Sequence, residues 1–260
     1  MTPHPRRWRW AANLATLANG LLGVGAIAYV LAGNKLFALF LIVGGMGFDG
    51  LDGLFSRRSS IPGGVVGRVA DSVSDAITFC VAPAVAVAVN TYDRGVWKPL
   101  DPWAWGIAAV VLTLGLARLV WYTWRGHSRD HFRGASTPQN ALLVVFLVPL
   151  FQVPGFLGEQ PTLFLLWVLA FAPLMVLPLP YPKIRRGTPL RGVTGGISGA
   201  ATVALLVAIF RPAPGTLPYL VAEAATLVGL ALLLAFYALG PFTSGSRTPA
   251  ATEASHAGPG

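Results

Sequence analysis

Eight apolar runs, parted by short breaks, dominate this chain; they lie near 11–32, 36–56, 64–90, 103–124, 139–154, 161–180, 193–210 and 217–240. A helix needs about 20 mostly apolar residues to cross the hydrocarbon of a bilayer. Inside that hydrocarbon every backbone N–H and C=O has to be bonded within the protein, which a helix does unaided. The runs therefore predict an all-α, polytopic integral membrane protein with about eight transmembrane helices. The breaks carry turn chemistry, as in Gly33-Asn34-Lys35 and Arg211-Pro212-Ala213-Pro214-Gly215. Only 11% of the 260 residues are charged, against about 25% in a soluble domain. The single cysteine, Cys80, excludes an intrachain disulfide and a cysteine metal cluster.

Charge sets the expected orientation. The chain has 19 Lys+Arg against 10 Asp+Glu, net +9. Such a surplus can signal nucleic-acid binding, but loops on the cytoplasmic side of a membrane collect Lys and Arg as well, and the apolar content favours that explanation, with no nucleic-acid partner. With an even helix count both termini share one side. That side holds Arg6, Arg7, Arg9, Arg57, Arg58, Arg125, Arg129, Arg133, Lys183, Arg185, Arg186 and Arg191, and the other holds Lys35, Arg94, Lys98 and Arg211. The bias puts both termini in the cytoplasm. The apolar run after Arg9 is too long for a cleaved signal peptide, so the first helix is expected to be retained. Residues 1–240 read as one transmembrane domain, and 241–260, rich in Ser, Thr, Ala, Gly and Pro, as a disordered tail.

Against this apolar background, four of the ten acids fall within 27 residues: Asp49, Asp52, Asp71 and Asp75. A charged Asp at the centre of a membrane helix costs about 2.5–3.5 kcal/mol on insertion scales, so four in one hairpin call for a ligand. Asp49 and Asp52 are three apart and Asp71 and Asp75 four apart, which puts each pair on one helix face. The helices are joined by a short segment after Arg57 and run antiparallel. Counted from that end, Asp52 and Asp71 lie roughly 6–7 Å deep and Asp49 and Asp75 roughly 12 Å, a cluster in two layers. Like charges so close repel unless a cation lies between them. An all-oxygen donor set favours Mg²⁺ or Mn²⁺, and two such ions suit phosphoryl displacement. Gly53 would let a ligand approach the backbone. Arg57 is either a phosphate-binding fork or a plain topology marker.

The pattern Asp49-x-x-Asp52-Gly53-x-x-Ser56-Arg57, nine residues, then Gly67-x-x-x-Asp71-x-x-x-Asp75 resembles the signature of the CDP-alcohol phosphatidyltransferases, with Ser56 where that family usually has Ala. The run Asp71 to Ala84, the Asn13, Thr16, Asn19 and Gly23 of the first helix, Ala117-Arg118, and Phe132-x-Gly134 before Pro138 are similar to the phosphatidylserine synthase branch. Thr78, Cys80, Leu119-Val120 and Ala135-Ser136 depart from that branch.

The resemblance implies a membrane enzyme that transfers a phosphatidyl group from CDP-diacylglycerol to an alcohol, serine in the nearest branch, with CMP leaving. It implies Asp49, Asp52, Asp71 and Asp75 as ligands of Mg²⁺ or Mn²⁺, with Asp75 as general base toward the acceptor hydroxyl. It matches Asn13, Thr16, Gly53, Arg57 and Gly67 to the CDP-diacylglycerol site, a homodimer as the assembly, and the inner membrane, with the active site facing the cytoplasm, as the location. Arg118, an intramembrane arginine, is a candidate for the acceptor's carboxylate or a phosphate, or else a structural ion pair with the acids or a snorkelling side chain.

Rival readings are a sister transferase using inositol phosphate or glycerol phosphate, a cation- or proton-coupled transporter, and a purely structural membrane protein. A transporter would hold its acids near the midplane on broken helices. His127 and His131 are four apart, a spacing that can hold zinc on a helix, though their surroundings read as a solvated basic loop. Pro83 should kink the third helix.

Overall fold

The computed structural model describes residues 5–59, 64–89, 92–93, 96–97, 102–125, 131–152, 161–182, 189–209 and 215–244. Its helices are α1 (Pro5–Leu31), α2 (Lys35–Ser59), α3 (Val65–Asp75), α4 (Ala82–Ala88), α5 (Pro102–Arg125), α6 (Thr137–Gln152), α7 (Pro161–Phe171), α8 (Pro189–Ile209) and α9 (Leu217–Ser244). A π-helical segment, Ala76–Val81, joins α3 to α4, so these form one rod. The helices occupy the eight expected places. Among the described residues five stretches are long and apolar enough to cross a membrane: Arg6–Leu31, Lys35–Ser59, Val65–Ala88, Pro102–Thr123 and Leu217–Phe242. The chain reads as a polytopic membrane protein.

Two short antiparallel ribbons add to the helices. Tyr92–Asp93 (β1) pairs with Val96–Trp97 (β2), and His131–Arg133 (β3) with Pro180–Pro182 (β4). Helix α9 runs to Ser244, past the boundary expected at 240, and residues 245–260 lie outside the described residues.

Local chemistry explains the joints. Gly33 takes φ +84°, and the N–H groups of Gly33 and Asn34 bond the carbonyls of Val30 and Tyr29 at 3.0 and 2.9 Å. These two bonds close a Schellman motif, for which glycine is the favoured residue. Asn34 then caps α2, its Oδ1 accepting from Phe37 N–H at 3.3 Å. Helix α6 opens on a reciprocal capping box: Gln139 N–H donates to Ser136 Oγ at 3.3 Å, and Ser136 N–H to Gln139 Oε1 at 2.7 Å. Just before it, Gly134 at φ +75° lies against the Met175 carbonyl, where a Cβ has no room.

The bundle wraps around α6. Ala141, Leu143, Val144, Val145, Phe146, Leu147 and Val148 are buried on every side of that helix, as expected of an element apolar all round at the centre of a fold. By contrast α1 turns Leu14, Leu17, Leu21 and Val24 outward, the surface that lipid tails would cover. Its other face carries small residues and fits closely against α2 and the π segment. A Cβ on Gly23 would lie 2.8 Å from Thr78 Cα, and one on Gly45 2.9 Å from Asn19 Oδ1. Small residues at such contacts let membrane helices pack backbone to backbone.

Candidate active site

The four acids of the hairpin converge. Asp49, Asp71 and Asp75 each offer an oxygen, and these oxygens lie within 4.8 Å of one another. Asp71 also reaches the Asp52 carboxylate in hydrogen-bonding range. All four are half-buried. Helix α2 supplies one pair and α3 the other, as the spacings three and four require on facing antiparallel helices.

Helix α1 braces the cluster from behind. The buried Thr16 hydroxyl bonds Asp52 Oδ2. Asn19 Nδ2 donates to Asp75 Oδ1 at 2.9 Å. Asn19 is held in turn by the Thr78 hydroxyl, which donates to its backbone carbonyl at 2.8 Å. Asn19 is 1% exposed, so its role is fixed by geometry and not by solvent. In the sequence Asn19 stands out only as part of a family pattern. The signal was present, since Asn19 stands one turn after Thr16 and shares its face.

Where a kink is expected at Pro83, the structure has a π-helical segment just before it. The Ala82 N–H bonds the carbonyl of Ile77, five residues back. Pro83 has no N–H, and its ring would collide with the Phe79 carbonyl in regular α winding. The wider turn relieves this, and it begins directly after Asp75. Single π turns of this kind are frequent at functional sites.

The other candidates are spread around the cluster. Asn13 is exposed on α1, one turn before Thr16. Arg57 is exposed and curls back toward Gly53, where a Cβ would stand 3.4 Å from Arg57 Nη1. A Cβ on Gly67 would meet nothing within 4 Å, so that position faces open space. Arg118 is 8% exposed, with its guanidinium carbon 4.5 Å from the centre of the Tyr122 ring. Among the described residues its guanidinium has Tyr122 as a hydrogen-bond partner and no acid among its electrostatic neighbours, and its Nε has no hydrogen-bond partner. Cys80 is in electrostatic reach of both Asp75 and Arg118. His131 stands in the strand β3, not on a helix with His127, and His127 lies outside the described residues.

A half-buried set of four converging carboxylates has the chemistry of a hard divalent metal site. The donors are all oxygen, several are charged, and they come from two rigid helices. Amide and hydroxyl groups orient two of the carboxylates from behind, as partners of metal ligands commonly do.

A sequence profile of the CDP-alcohol phosphatidyltransferases matches residues 9–179, and the chain belongs to that family of membrane enzymes. It is 30% identical over 178 residues to a CDP-diacylglycerol–serine O-phosphatidyltransferase of Helicobacter pylori, covering 67% of this chain and 72% of that protein. An enzyme of the same name from Mycobacterium leprae is 29% identical over 231 residues, covering 85% of this chain and 73% of the relative. An archaetidylserine synthase of Methanothermobacter thermautotrophicus is 26% identical over 175 residues, covering 66% and 69%.

Proposed function

We propose that this enzyme transfers the phosphatidyl group of CDP-diacylglycerol to L-serine, giving phosphatidylserine and CMP. The observation that carries the reading is the convergence of Asp49, Asp71 and Asp75 within 4.8 Å, in a chain whose relatives are named for serine as acceptor. Asp49, Asp52, Asp71 and Asp75 hold two divalent ions, Mg²⁺ or Mn²⁺. Bound there, the ions supply positive charge against the pyrophosphate and the leaving CMP.

The chain's own groups divide the remaining work. Asp75 takes the proton from the serine hydroxyl as that oxygen attacks phosphorus. Asn19 holds the Asp75 carboxylate in place through its 2.9 Å bond and keeps one oxygen directed at the acceptor. Thr16 fixes Asp52 in the same way. Arg57 binds a phosphate oxygen of the liponucleotide, while Gly53 and Gly67 leave room for its backbone-close approach, with Asn13 and Thr16 beside the CDP. Arg118 takes the acceptor.

In this reading all eight helical rods span the inner membrane, the chain through the end of α9 at Ser244 forms one domain with the residues after it as its tail, and both termini lie in the cytoplasm. The acids then face the cytoplasmic leaflet, the depth at which a liponucleotide anchored by its acyl tails presents its pyrophosphate. The working unit is a homodimer.

The test is CMP release by purified protein given CDP-diacylglycerol, Mg²⁺ or Mn²⁺, and serine, inositol phosphate or glycerol phosphate in separate reactions. Serine alone is expected to support release, with phosphatidylserine as product, and EDTA to reduce the rate to background until metal is restored. Release with a phosphorylated acceptor in place of serine moves the function to a sister enzyme. Release that survives EDTA overturns the metal assignment.

A further inference from the structure

Two buried hydrogen-bond donors on the arginine side of the site have no acceptor among the described residues. One is Arg118 Nε. The other is the Tyr237 hydroxyl of α9, in a residue 5% exposed. Arg118 and Tyr237 lie in electrostatic reach of each other. A buried donor without a partner costs free energy, more when it is charged, and two together with none are unusual in a packed interior. The group that would complete both is an acceptor without donors of its own and with negative charge, which describes a carboxylate or a phosphate oxygen. One guanidinium and one hydroxyl match a single negative charge.

The surrounding elements set Arg118 and Tyr237 firmly. Gly115, one turn before Arg118, lets α5 close on the π segment, since a Cβ there would stand 2.8 Å from Cys80 Sγ. Tyr237 is held through its ring by Phe171, at a centroid distance of 5.6 Å, and through its backbone carbonyl by the Tyr181 hydroxyl at 3.2 Å. Neither support uses the Tyr237 hydroxyl. The same ring also lines an apolar cavity of about 390 Å³ with Trp167, Phe171 and Leu234.

We propose that the Tyr237 hydroxyl binds the acceptor's carboxylate together with Arg118, and so makes α9 a determinant of acceptor choice. The proposal rests on the serine reading above and adds a residue that the sequence signature does not contain. Tyr237→Phe isolates the point, because the ring, its cavity wall and the Tyr181 bond all stay.

The full-length protein and the variant are compared on serine and on serinamide, which keeps the hydroxyl and the amine but lacks the carboxylate. The ratio of kcat/KM for serine to that for serinamide is expected to fall about tenfold in Tyr237→Phe, the size of a lost hydrogen bond to a charged group. The thermal midpoint and the KM for CDP-diacylglycerol are expected to hold. An unchanged ratio, or equal losses on both acceptors, overturns the proposal. If the unaltered protein uses glycerol phosphate or inositol phosphate instead, the serine reading falls by itself. The variant is then judged on that acceptor, where a raised KM keeps Tyr237 as an anion ligand and an unchanged one removes it.

Discussion

The acid side and the arginine side of the site are built in opposite ways. Asp49, Asp52, Asp71 and Asp75 come from one hairpin, within 27 residues, and are braced by a single further helix through Thr16 and Asn19. Arg118 comes from α5, Tyr237 from α9, and the residues that set them, Cys80, Phe171 and Tyr181, from three more segments. A donor site that must hold metal and pyrophosphate needs fixed charge at fixed spacing, and a local motif provides it. A pocket that chooses among alcohols needs shape, and shape comes from many elements. If Arg118 and Tyr237 take the acceptor as proposed, the contrast makes the reaction and its acceptor separable in this molecule.

The largest effect should come from the acid side. Asp75→Asn keeps the shape of the side chain and its contact with Asn19, but removes the charge and the base. Serine-dependent CMP release is expected to drop about 10³-fold, within the range of general-base losses. A drop of tenfold or less would show that Asp75 is not the base, and the acid side would then be binding ground only.

A smaller effect should follow one layer back. Asn19→Ala deletes the 2.9 Å bond to Asp75 Oδ1 while leaving all four acids in place. Groups that orient metal ligands commonly contribute 10–100-fold, so an activity loss of about that size is expected, together with a need for more Mn²⁺ to reach half-maximal rate. If the metal requirement stays the same while the rate falls, Asn19 serves the base function of Asp75 and not its place in the metal cluster.

The difference between the two sides also explains what the sequence disclosed. The acids were legible because charge is expensive in hydrocarbon, and because spacings of three and four residues convert directly into shared helix faces. The schedule of helices was legible from the apolar runs. Asn19 and Thr16 were half-legible, since their spacing was visible but their targets were not. Gly115, Tyr181 and Tyr237 were not legible at all, because their contacts cross more than 50 residues of chain in the case of Tyr181 and Tyr237, and no local pattern encodes such a distance. The capping box Ser136-x-x-Gln139 was readable in principle, and it stands where Ala135-Ser136 departs from the related branch. Cys80 is another departure from that branch, and its counterpart Gly115 emerges only when α5 is placed against the π segment.

That last pair supplies the finest cut between the two sides. Gly115→Ala puts a methyl where Cys80 Sγ stands 2.8 Å from the new Cβ, so α5 has to move outward or Cys80 has to turn. Overpacking of this kind typically costs about 1–3 kcal/mol. Because α5 carries Arg118 and none of the acids, the expected kinetic change is confined to the acceptor: KM for serine rises severalfold, and KM for CDP-diacylglycerol does not. Cys80→Ala in the same chain removes the sulfur and should restore both stability and serine KM, a coupling that a double-mutant cycle reads directly. If Gly115→Ala instead raises both KM values together, α5 positions the acids as well, and the two sides of the site are one mechanical unit.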